Sequence, residues 1–163
     1  MTAYSRWLFL ALLMACFAHA AYYYPQLPDT VASHFGASGQ PDAWSGKSSF
    51  LRVCVVVTAL CGVLFGLGGI LLARLPVSLI NLPNKNYWLS DAHKNETVSF
   101  LRDFLLLFGS ATLALVLFTF HQAFRFSMGR TPSIEYMPVA IGIYVALALA
   151  ANVTLFLRFF RKP

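Results

Sequence analysis

The chain has 163 residues, of which 58% are hydrophobic and only 11% are charged, and its formal net charge is +6. Soluble domains carry about a quarter charged residues, so this composition excludes an ordinary water-soluble domain. The basic residues stand singly or in short groups at the ends of apolar runs, which does not make the basic face that nucleic-acid binding needs. We therefore predict an all-α integral membrane protein that contacts the lipid bilayer and binds no nucleic acid.

Four apolar runs are long enough to cross a hydrocarbon core of about 30 Å as helices. These runs cover approximately residues 7–24, 51–75, 101–124 and 138–160. We predict that residues 1–163 form a single membrane domain. The first run has a competing interpretation as a cleaved signal peptide, because an apolar stretch behind Arg6 ends in Ala18-His19-Ala20. The three tyrosines that follow look like an interfacial aromatic belt and favour an uncleaved helix.

The loop of residues 25–50 is the longest stretch that cannot lie in a lipid core. Leu27-Pro28 predicts an extended start, since the residue before proline is pushed out of the helical region. Gly36 and Gly39 permit positive φ, and the Pro41-Asp42 pair indicates a further turn. We predict a structured, non-helical loop between the first two helices. The side chain of Lys47 could pair with Asp29 or with Asp42.

The second run carries three glycines at helical spacing, Gly62, Gly66 and Gly69. Glycines four residues apart let another helix approach closely, which is how helices associate where lipid removes the hydrophobic driving force. This face could pack inside the bundle of this chain or form a homodimer.

The distribution of Lys and Arg predicts that both termini and the connection of residues 76–100 are cytoplasmic, with the loop of residues 25–50 outside. Eight basic residues belong to the first group: Arg6, Arg74, Lys85, Lys94, Arg102, Arg158, Arg161 and Lys162. Four belong to the second: Lys47, Arg52, Arg125 and Arg130.

With this topology, His19, His34 and His121 gather near the outer face, where they are weak candidates for a metal site beside carboxylates. No HExxH motif or other ligand spacing supports them, and the alternative is that they make hydrogen bonds in the loop and between helices. No nucleophile motif is present, and the centres of the apolar runs contain no Asp, Glu, Lys or Arg. We therefore predict no catalytic residue, no cofactor and no enzymatic activity.

The loop motif is Leu27-Pro28-Asp29, His34-Phe35, Gly39-x-Pro41-Asp42 and Lys47. It resembles the pattern LPxxxPxHFxxxGxPDxxxxK of a bacterial membrane domain of unknown function, which also forms the N-terminal part of SdpI-type proteins. Ala32 stands where that family usually has proline. The connection motif, with Asn81, Pro83, Asn84, Lys85, Tyr87 and Trp88, is similar to one in stand-alone members. The resemblance covers roughly the first hundred residues and implies a multi-pass protein of the bacterial plasma (inner) membrane.

Three functions are compatible with these observations. The first is a non-enzymatic sensing, recognition or immunity-type protein, because SdpI-type proteins are linked to immunity against a secreted antimicrobial peptide and to signalling. Its partner would be a secreted peptide or another membrane protein, and the connection motif would relay binding inward. The second is an accessory subunit of a membrane complex, held through the glycine face. The third is a metal-dependent enzyme at the outer face.

Overall fold

The computed structural model describes residues 3–36 and 38–161. Within them, the elements follow in this order: α1 (Ala3–Tyr23), β1 (Thr30–Phe35), β2 (Pro41–Gly46), α2 (Lys47–Cys61), α3 (Gly68–Arg74), α4 (Lys85–Trp88), α5 (Lys94–Ser127) and α6 (Met137–Phe160). A π-helical segment, Gly62–Leu67, continues α2 into α3.

Over residues 3–36 and 38–161, four helical segments are long and apolar enough to cross a membrane, which confirms the predicted all-α membrane fold. They are Ala3–Gln26, Lys47–Leu72, Lys94–Ser127 and Met137–Phe160. Several helices extend beyond the predicted bounds; α5, for example, begins at Lys94 and not near residue 101. The reason is that hydropathy detects only the part of a helix that lies in lipid, whereas the hydrogen-bonded helix continues into polar surroundings.

The predicted loop of residues 25–50 contains two antiparallel strands and the first residues of α2. The strands form where the chain is extended on either side of a tight turn. In that turn the Gly36 N–H donates to the Gln40 carbonyl over 2.9 Å, and Gly39 has a φ of 73°. Only glycine takes this φ without steric strain, so the turn requires Gly39. We call residues 30–46 the hairpin.

The central element is α5, which contacts α1, α2, α3, α6 and β1. Its 34 residues make a helix of about 50 Å, longer than the roughly 30 Å of a hydrocarbon core. It is therefore longer than a perpendicular crossing of the lipid core requires, and its C-terminal turns provide a protein surface on which the hairpin packs.

Two apolar clusters hold the bundle together. The one at the hairpin end joins the helices to the hairpin and consists of Ala20, Leu27, Val31, Phe50, Cys54, Ala123 and Phe124. The other lies farther along the bundle and consists of Phe9, Cys16, Cys61, Leu106 and Leu113. Because Val31 belongs to the first cluster, the hairpin is part of the packed protein and not a separate appendage.

Candidate functional site

The hairpin contains most of the predicted loop motif and has an irregular register. Ala32 pairs with Trp44, His34 with Ala43, and Phe35 with Pro41. One residue is therefore unpaired on each strand, Ser33 on β1 and Asp42 on β2. Such bulges bend a strand and redirect side chains. Here they place the Asp42 carboxylate beside the ring of His34, with Oδ1 2.5 Å from Nδ1.

One face of the hairpin is fixed to the end of α5. Val31 and Ala32 are fully buried. The Ala32 N–H donates to the Ser127 hydroxyl over 3.1 Å, and the Phe35 ring contacts that of Phe126 edge-on, with centroids 5.4 Å apart. These contacts supply a buried backbone group with an acceptor and fix the position of β1.

The turn of the hairpin is bound to the connection between α5 and α6. The Gly39 carbonyl accepts the Ile134 N–H over 3.3 Å, and the Gln40 side-chain amide donates to the Pro132 carbonyl over 3.3 Å. The hairpin is thus held at its face and at its turn by segments about a hundred residues away in sequence.

The base of the hairpin is closed by an ion pair of Lys47, for which the sequence allowed two partners. Lys47 pairs with Asp29, with Nζ 3.0 Å from Oδ1, whereas Asp42 pairs with His34. Pro28 is exposed at the start of the motif, directly before Asp29. The residues predicted as the loop motif therefore lie in the hairpin or at its two ends.

The outward side of β2 is exposed. Asp42, Ala43 and Trp44 are exposed, and Trp44 retains 54% of its accessible surface. Among the described residues, the backbone of residues 42–46 forms no hydrogen bond outside the hairpin. In the part of the chain that the structure describes, the sheet has two strands and this edge of β2 has no strand beside it.

The three histidines do not form one site. The rings of His19 and His121 are in contact, with Nε2 3.0 Å from Nδ1, and His19 also stacks on Phe124. His34 belongs instead to the hairpin. In the part of the chain that the structure describes, no three His, Cys, Asp or Glu side chains are grouped so that they could hold a metal ion. His34 instead forms a hydrogen bond within the loop, and His19 and His121 form one between α1 and α5.

The glycine face of the second span lies inside the bundle. A Cβ atom on Gly62 would come 3.2 Å from Leu13 of α1, and one on Gly66 would come 3.2 Å from Phe9. A Cβ atom on Gly69 would lie 2.4 Å from the Cγ of Arg102 on α5. This placement agrees with packing inside one bundle, the first of the two alternatives.

The connection motif binds the C-terminal end of α6 through hydrogen bonds. Asn84 has a positive φ of 51°, and its side-chain amide donates to the Phe159 carbonyl over 3.0 Å. The Trp88 indole N–H donates to the same carbonyl over 3.2 Å. The other members lie around this contact, with Asn81, Lys85 and Tyr87 exposed and Pro83 half-buried. The motif therefore anchors the C-terminal end of α6.

Several residues that fix the site were not predicted, notably Phe126, Ser127 and Ile134. Each contacts the hairpin from α5 or from the segment after it. They belong to no motif in the sequence, and a serine at the end of an apolar run gives no sign that it binds a backbone amide far away.

Residues 11–58 match the profile of a family described as a domain of unknown function, DUF1648. The matched range contains most of α1, the whole hairpin and the first part of α2. No curated protein and no solved structure matches the chain. The class supported here is thus a membrane protein of undetermined function, of which residues 11–58 are similar to this domain.

Proposed function

We propose that this chain is a non-enzymatic recognition protein of the bacterial inner membrane, whose hairpin binds an extended peptide outside the membrane. The observation that supports the proposal most is the exposed edge of β2. An extended peptide can add to such an edge as a third strand, using backbone hydrogen bonds for affinity and neighbouring side chains for specificity.

The edge is held in place before any peptide binds. The Ser127 hydroxyl and the Phe126 ring hold β1, while the Ile134 N–H holds the turn. A strand that is already ordered loses less conformational entropy on binding than a mobile loop does. The exposed ring of Trp44 and the carboxylate of Asp42 stand on the strand that the peptide would join.

The ligand class to test first is a secreted peptide, because the loop motif resembles that of SdpI-type proteins. The range that matches the domain of unknown function includes the whole hairpin. The excess of basic residues on the termini and the middle connection supports an orientation with the hairpin outside and both termini in the cytoplasm.

Helix α6 offers a physical connection between the hairpin and the connection motif. The hairpin turn binds Ile134, whose carbonyl accepts the N–H of Met137, the first residue of α6, over 3.0 Å. At the other end, Phe159 is bound by Asn84 and Trp88. A shift of the turn on peptide binding would therefore act on α6. The far end of α6 is bound by the connection motif, which is proposed to face an inner partner.

The test is photo-crosslinking in intact cells with benzoyl-phenylalanine in place of Ala43, followed by mass spectrometry of the adducts. The matched control carries the same residue in place of Ser48, which is also exposed but lies on α2. We expect a discrete peptide adduct at position 43 that is absent at position 48. No adduct at position 43 in cells with normal protein levels, or equal adducts at both positions, would overturn the proposal.

A further inference from the structure

A groove of about 360 Å³ runs along the seam between α1 and the π-helical segment, away from the hairpin. Leu10 and Leu13 of α1 and Gly62 and Gly66 of the second span form much of its wall. The glycines let α1 approach the second span closely, and the groove runs beside this contact. Most of the residues that line the groove are apolar, and its volume is sufficient for part of a hydrocarbon chain.

Two arginine residues line the same groove, Arg6 on α1 and Arg102 on α5. Arg6 is exposed in the first turns of α1, and Arg102 is half-buried. Among the described residues, neither forms an ion pair. The nearby Asp103 carboxylate accepts the Ser5 hydroxyl over 2.8 Å and does not line the groove.

The Arg102 side chain is held at the groove by close packing. Its Cγ lies only 2.4 Å from the position that a Cβ on Gly69 would take, so the absence of a side chain at Gly69 lets the alkyl part of Arg102 lie against α3. Its Nε atom is buried and has no hydrogen-bond partner among the described residues. Arg102 as a whole is half-buried, and a guanidinium group in such surroundings is stabilised by an anionic partner.

We propose that this groove binds an anionic phospholipid, with one acyl chain along Leu10 and Leu13 and the phosphate between Arg6 and Arg102. The apolar seam fits the chain, and the two positive charges match a net negative headgroup. Basic pockets between membrane helices bind anionic headgroups through this combination. A zwitterionic lipid carries its own cation, which opposes the two arginines.

The test uses the purified full-length chain and native mass spectrometry with phosphatidylglycerol and phosphatidylcholine of identical acyl chains. We expect the wild-type chain to bind phosphatidylglycerol roughly thirtyfold more tightly, which corresponds to about 2 kcal/mol for two basic residues near an anionic headgroup. The Arg6→Gln/Arg102→Gln variant should lose most of this preference. The matched control is Arg74→Gln, which removes an exposed charge from α3 outside the groove and should keep the preference.

If the double variant does not fold, the single Arg6→Gln variant gives the same test with an exposed residue and should lose a measurable part of the preference. Equal affinity of the wild-type chain for the two lipids, or an unchanged preference in the arginine variants, would overturn the proposal. A dimer that forms without lipid and is abolished by the arginine substitutions would also overturn the proposal, because the groove would then be occupied by a second copy of the chain.

Discussion

The ammonium group of Lys47 lies 3.0 Å from the carboxylate of Asp29, and this ion pair closes the base of the hairpin. The backbone of the same two residues is also joined, because the Lys47 N–H donates to the Asp29 carbonyl over 2.9 Å. Asp29 directly precedes β1 and Lys47 is the first residue of α2. The pair therefore fixes the point at which the chain returns to the membrane.

Replacing Lys47 by Met should change stability little, because the Asp29 carboxylate is 96% exposed and the backbone hydrogen bond remains. Exposed ion pairs contribute about 0–1 kcal/mol. Thermal unfolding in detergent, followed by circular dichroism, should show a midpoint within a few degrees of wild type. The control is Lys85→Met, which removes an exposed lysine far from the hairpin. A much larger loss for Lys47→Met alone would show that the ion pair is a principal support of the hairpin.

Ser127→Ala should loosen the hairpin from α5. The Ala32 N–H is buried and loses its acceptor, which costs about 1–3 kcal/mol. Hydrogen exchange of residues 30–35 should accelerate roughly ten- to hundredfold. Ser110→Ala is the matched control, since that buried hydroxyl donates only to the Leu106 carbonyl of its own helix. Unchanged exchange in Ser127→Ala would mean that apolar packing alone holds β1.

Gly109→Ala should strongly destabilise the bundle. The new Cβ would lie 2.5 Å from the Cβ of Phe65 and 2.9 Å from the ring of Phe9. Overpacking of this kind costs about 1–3 kcal/mol or more, so we expect reduced yield and a lower unfolding midpoint. Gly142→Ala is the control, because among the described residues no atom beyond its chain neighbours and its own helix backbone lies within 4 Å of its Cβ position. Equal behaviour of the two variants would contradict the close contact of α5 with α1 and the π-helical segment.

Two substitutions of Asn84 separate its backbone conformation from its hydrogen bond. Asn84→Gly keeps the positive φ and removes the bond to Phe159, whereas Asn84→Ala also adds strain in the left-handed region. We expect Ala to be the more destabilising by about 1 kcal/mol. Both should accelerate hydrogen exchange at residues 155–160. If α6 connects the two motifs, exchange at the hairpin turn should also change, and an unaffected turn would argue against that connection.

The proposed orientation is tested with single cysteines. Ala43→Cys should react with a membrane-impermeant maleimide in intact cells, and Asn86→Cys should react only after permeabilisation. Both positions are exposed, whereas the native Cys16, Cys54 and Cys61 are buried. The reverse labelling pattern would place the hairpin in the cytoplasm and contradict the proposed orientation.

Local properties of the sequence were sufficient to predict the membrane class and the four spans. Hydropathy reports directly on whether a segment can lie in lipid, because a helix there satisfies its own backbone. The sequence also indicated the position of the hairpin turn, because glycine is favoured wherever φ must be positive and Gly39 has a positive φ. What hydropathy missed was the extent of α5, whose ends continue into polar residues.

Only the tertiary structure decided which groups meet. Lys47 had two acids within reach in sequence, and the bulge at Asp42 assigns that acid to His34 and leaves Asp29 for Lys47. Likewise, His19 meets His121 because α1 and α5 lie side by side, at a sequence separation of 102 residues. Such contacts depend on the relative depth and rotation of whole helices. The depth and rotation of each helix result from packing throughout the bundle, so no single sequence motif predicts them.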